Sequence, residues 1–152
     1  MRRAILVLAI ACAGGCGPRA VQMNLLGRVA VLDDGEAPKL DAPAPKETRW
    51  PDFFRRVSRA VSAAWHPDVA YLRHEPTPPN GRRSIVVRVE LQPTGALKDL
   101  TLLASSGSGY LDEDALASLR RAAPFKRPPQ ALADVDGLIR FNLAFLFDLS
   151  RR

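Results

Sequence analysis

The chain has 152 residues, room for one globular domain with tails but not for two full domains. Its composition, 47% hydrophobic and 25% charged, is that of an ordinary globular protein. The net charge of +6 is dispersed: Arg55, Arg56 and Arg59 on one helical stretch, Arg82 and Arg83 in a loop, Arg120 and Arg121 on another helix. With no nucleic-acid module signature beside it, this charge reads as a solvated cationic surface and argues against nucleic-acid binding.

At the N-terminus, Met1-Arg2-Arg3 supplies a positive segment and Ala4–Ala13 an apolar one. The apolar run is shorter than the ~20 residues a membrane-spanning helix needs, so it reads as an export signal. Small residues at Ala13, Gly14 and Gly15 lead to Cys16 and resemble the bacterial lipobox, in which the thiol is acylated and becomes the mature N-terminus. The usual leucine three residues before that cysteine is Ala13 here, and Cys12 after Ala9-Ile10-Ala11 is a weaker match. The expected division is a signal over 1–15, an anchor and Pro/Ala-rich linker over 16–49, and a folded domain over 50–152. Losing Arg2 and Arg3 with the signal leaves 20 basic against 16 acidic residues, a charge of +4. The two cysteines both lie at this end, so disulfides and thiol chemistry are not expected in the domain. Conventional cleavage, with Cys16 incidental, is the plainer alternative.

From Gly17 to Arg49 no periodicity is sustained. Val21–Leu32 is moderately apolar, compatible with a short strand or helix. Asp33-Asp34-Gly35 reads as a turn, and Ala37–Lys46 as a semi-rigid spacer. A helix is predicted from Pro51, which suits a first helical position, with Phe53, Phe54, Val57, Ala60, Val61, Ala64 and Trp65 at helical spacing. Pro67 stops it. Glu75–Arg83 reads as a loop. Ser84–Gln92 alternates, with Ile85, Val87, Val89 and Leu91 on one face; Pro93-Thr94-Gly95 then turns the chain into a second strand, Leu97–Ser105. Leu111–Ala122 reads as a helix with Asp112 as its cap. Leu138–Leu149 carries Ile139, Phe141, Leu143, Phe145, Phe147 and Leu149 on one face, with Arg140, Asn142 and Asp148 expected to be exposed on the other.

These elements give an α+β fold of order helix-strand-strand-helix-strand. The expectation is a three-stranded sheet with two helices packed on one face. In its economical topology the first strand lies between the other two and antiparallel to both. The final strand is then an edge, whose unpaired backbone groups can receive an extended peptide.

Chemistry is sparse. His66 marks a helix end and His74 a loop. Asp112 with Asp114 suits a first helical turn better than a metal pair, and Asp134-Val135-Asp136-Gly137 suits a turn better than a calcium loop. Ser105–Gly109 lacks the lysine of a phosphate loop, and neither Ser106 nor Ser108 sits in a nucleophile elbow. No catalytic residue, metal or cofactor is expected.

The stretch from Phe53 to Leu149 resembles the TonB/TolA C-terminal domain family. The resemblance is carried by Val87–Leu91, Gly95, Ser105-Ser106-Gly107, Leu111-Asp112, the Ala115/Leu116/Leu119 helix, and Pro124-Phe125 with Pro128. Trp65-His66-Pro67 resembles the aromatic-plus-proline feature before them, while Lys126–Gln130 is closer to the TolA version. It implies a non-enzymatic periplasmic domain that binds an envelope or outer-membrane protein, often by pairing at a sheet edge, in transport or envelope-complex function. The expected partner-binding residues are Arg140, Asn142, Ala144, Leu146 and Asp148 on the final strand, with Cys16 as the lipid anchor, the outer membrane favoured. A passive structural envelope lipoprotein and a motor-coupled transducer are the alternatives. The lipobox-like signal and short linker depart from classical transducers.

Overall fold

Alternating apolar side chains, period two along two segments, set the frame of the sheet. In the computed structural model, which describes residues 23–32, 50–72 and 80–151, the strands are β1 (Met23–Leu32), β2 (Gly81–Leu91), β3 (Leu97–Ala104) and β4 (Ile139–Arg151). The helices are α1 (Pro51–Ala64), α2 (Val69–Leu72) and α3 (Gly109–Ala122), with a single 3-10 turn at Gln130–Leu132.

The sheet has four strands in the order β1-β4-β2-β3, all neighbours antiparallel. The expected arrangement of β2 between β3 and β4 holds. The three-stranded count does not, because Met23–Leu32, inside the stretch read as linker, pairs with β4 from Met23↔Arg151 to Leu32↔Asn142. The final strand is therefore interior and not an edge.

One core joins the buried residues of α1 and α3 to the inward positions of the sheet. Phe53, Phe54, Val57 and Val61 of α1, with Leu111, Ala115 and Leu119 of α3, share it with Ile85, Val87, Val89 and Leu91 and with Ile139 through Leu149 at alternate positions. Phe53 and Phe54 meet Phe141 edge-on, and Trp65 meets Phe145 the same way. Removing one such ring would cost about 3–5 kcal/mol. The two helix ends are tied together as well, since Arg121 donates to the Ala64 carbonyl at 2.9 Å, a cation at the carbonyl end of α1.

Glycine matters at the β2–β3 turn. Gly95 has φ +90°, donates to Gln92 O at 2.8 Å and accepts from Phe125 N at 2.8 Å. A Cβ there would lie 1.9 Å from the Phe125 carbonyl oxygen, so the loop after α3 can close on the hairpin only over a glycine.

Helix α3 starts earlier than expected, and its cap is Ser108, whose hydroxyl accepts from Leu111 N. Asp112 is not the cap. It turns back to accept from Ser106 N at 2.9 Å, from the Ser106 hydroxyl at 2.8 Å and from the Ser105 hydroxyl. Strand β2 also begins three residues before the alternation does, because Gly81–Arg83 pairs with Phe147–Leu149 of β4. The four-residue α2 had no sequence signal. The Asp68 carboxylate accepts from Ala70 N at its start, and Tyr71 stacks on Tyr110 with centroids 5.1 Å apart.

Candidate partner-binding surface

Strand β4 is the centre of the candidate surface, and its two faces differ sharply. The inward face is core. The outward face holds the five residues singled out from sequence, Arg140, Asn142, Ala144, Leu146 and Asp148, at alternate positions. The structure gives them unequal roles.

Arg140 anchors the start of the strand. Its guanidinium donates to Asp134 at 2.6 Å, to Asp136 at 2.6 and 3.2 Å, and to Glu90 across the sheet at 3.2 Å. The Asp134–Gly137 segment is the turn expected for it, closed by Gly137 N to Asp134 O at 2.9 Å and Asp134 N to Leu138 O at 2.8 Å. The Arg140 hydrogen bond, then that from Leu138 N, lowers the Asp136 pKa to about 2. The same carboxylates raise that of Arg140.

Asn142 was expected to be exposed but is only 9% exposed. Ala144 and Leu146 are 0% and 2% exposed and form a second small apolar cluster with Val86, against which Ala30 and Ala104 pack. Asp148 is half-buried, 3.9 Å from Arg82. As side chains, the middle three offer little to a partner, and their backbones already lie between two strands.

Strand β1 closes this border. Among the β1 side chains described, Val29 and Val31 pack only partly buried against the core, and Arg28 is exposed. Gly27 is the close-approach point: a Cβ there would meet the Trp65 ring at 2.6 Å. Sequence reasoning found the apolar character of Val21–Leu32 but not its pairing. The alternation of Val29 and Val31 with Arg28 and Ala30 was the available signal. At the opposite border, β3 is largely exposed, with Leu102 at 38% and Leu103 at 44%.

The Ser105–Gly109 loop is spoken for. Ser106 N is taken by Asp112, Gly107 N by the Ser105 hydroxyl and Ser108 N by the Ser106 hydroxyl. The carboxylate of Asp112 stands where an added anion would have to bind. His66 is exposed beyond the end of α1; His74 and Cys16 lie outside the described residues. Among the described residues no three His, Cys, Asp or Glu side chains gather as a metal site, and no helix is long and apolar enough to cross a membrane.

The geometry defines a small α+β domain built on a four-stranded antiparallel sheet, with a buried polar lock at the start of α3. Residues 74–147 match the family model described as Gram-negative bacterial TonB protein C-terminal, so this part of the chain is a TonB C-terminal domain. That family is non-catalytic, serving energy transduction or adaptor roles in the periplasm of Gram-negative bacteria. No curated protein and no solved structure matches the chain. The matched stretch contains β2, β3, α3 and most of β4; β1 and α1 precede it.

Proposed function

We propose that this protein is a non-enzymatic envelope adaptor that captures a protein partner by exchanging β1 for a partner strand beside β4. The observation that carries the reading is that β1 lies outside the matched family unit. That unit by itself is a three-stranded sheet with β4 at its border, and β1 fills the border from elsewhere in the chain. Open docking on β4 is excluded by the ten residue pairs of β1, so a partner strand must compete with it. Among the described β1 side chains, it displaces two half-buried valines contributing about 1 kcal/mol each. The backbone from Arg140 to Asp148 would then receive the incoming strand.

Ala30 and Ala144 are direct register partners and allow the exchange to be blocked. With both replaced by cysteine, the oxidised protein should fail to retain envelope proteins that the reduced form retains, read by affinity capture and mass spectrometry. Equal recovery of the same partner in both states would remove strand exchange from consideration.

Lipidation of Cys16 completes the proposal, the outer membrane being the favoured site. The anchor lies seven residues before Met23, a reach of at most about 25 Å, whereas with β1 released the tether runs to Trp50 and spans up to about 120 Å. Strand exchange would thus also lengthen the leash. Cys16→Ser should shift the protein from the membrane to the soluble fraction; undiminished membrane partitioning would eliminate the anchor.

A further inference from the structure

A cavity of about 180 Å³ lies away from the sheet borders, between the first half of α1 and the chain leaving α3. Its walls are apolar: Phe53, Val57 and Ala60 on α1, Ala122 and Phe125 opposite. Each wall also contributes one cation to the lining, Arg56 from α1 and Lys126 from the segment after α3. Arg56 rests 5.9 Å over the Phe53 ring, and among the described residues neither cation has a carboxylate partner. No acidic residue lines the cavity.

We infer that this cavity binds the C-terminal residue of a peptide, its apolar side chain inserted and its α-carboxylate held by Arg56 and Lys126. The volume falls short of the ~300 Å³ at which small-molecule sites begin and suits one medium-sized side chain. A carboxylate joined directly to the inserted residue is the anion that reaches cations on both walls together. Neither the family assignment nor strand exchange requires this site, and its occupant would meet a different layer of the molecule.

The test uses the full chain labelled with 15N and two probes, acetyl-Ala-Leu with a free carboxylate and the same dipeptide as its amide. The free acid should shift the amides of Ala60, Ala122 and Phe125 through the millimolar range, and the amide should bind about fivefold more weakly, the scale of exposed ion pairs. Arg56→Gln with Lys126→Gln should bring the acid down to the affinity of the amide, and Ala60→Leu, which fills the space without touching charge, should weaken both probes. Equal affinity for acid and amide, persistence of the difference in the double Gln variant, or no shift at these amides would each overturn the site. A peptide with an internal Leu-Glu pair binding as well as the free acid would overturn the C-terminal specificity.

Discussion

Replacing Gly27 with alanine probes how firmly β1 is held. The added methyl would stand 2.6 Å from the Trp65 ring, and ordinary contact begins at 3.4 Å, so β1 and the indole must separate by the difference. Trp65 has little freedom to give way, because it is buried against Phe145 and Phe147. Overpacking of this kind costs about 1–3 kcal/mol. Alanine recovers about 0.5–1 kcal/mol of that, since glycine is the poorer strand residue. The net of about 1–2 kcal/mol rivals what Val29 and Val31 contribute by burial, and it falls on β1 alone, raising the detached population about 5–30-fold. Native-state hydrogen exchange reads this directly. Every second amide of β4 points toward β1, and those amides should exchange faster by that factor while the β2–β3 hairpin keeps its protection. Uniform acceleration across the sheet would mean that β1 belongs to the global cooperative unit. Unchanged β4 protection would mean that the Trp65 contact does not constrain the strand. Either result refutes the reasoning.

Two further outcomes test the supports of the domain. Asp112→Ala removes the acceptor of three hydrogen bonds and strands the buried Ser106 N–H, and should lower the unfolding free energy by about 3 kcal/mol in urea titration. Asp112→Asn keeps an acceptor and should cost about 1 kcal/mol; an alanine variant within about 1 kcal/mol of the parent would show that the lock is not structural. Asp136 has a folded pKa of about 2, below the ordinary 3.8, so its contribution is present above pH 3.8 and is lost as pH falls through 2. Carboxyl-carbon NMR should find that low midpoint, and Asp136→Asn should match the parent in stability only at the acid end. A midpoint near 3.8 would show that Arg140 does not hold it.

Much of the domain could be read from residues alone because its signals are local. The alternation from Ile85 to Leu91 and from Ile139 to Leu149 fixes two strands and their inward faces, since side chains on a strand must take opposite sides. Pro51 and the apolar spacing of Phe53, Phe54, Val57 and Val61 fix α1, and Pro93-Thr94-Gly95 fixes the hairpin. The direction in which Asp112 turns was less legible: a first-turn acid beside serines fits a cap as well as a lock, and only the folded loop shows Ser108 in the capping place.

The pairing of β4 lies beyond any local signal. A strand's pattern tells which side chains are inward, but its backbone groups pair in the plane of the sheet, where the sequence leaves no mark of what lies alongside. Ala144 and Leu146 accordingly read as open border positions and are enclosed, because Met23–Leu32 returns to them from the far side of a Pro/Ala-rich stretch. Side-chain chemistry along each segment was thus settled by the amino acids themselves. Which segments lie next to one another was settled by the closing of the sheet, through backbone hydrogen bonds that every residue but proline can both give and accept and none encodes.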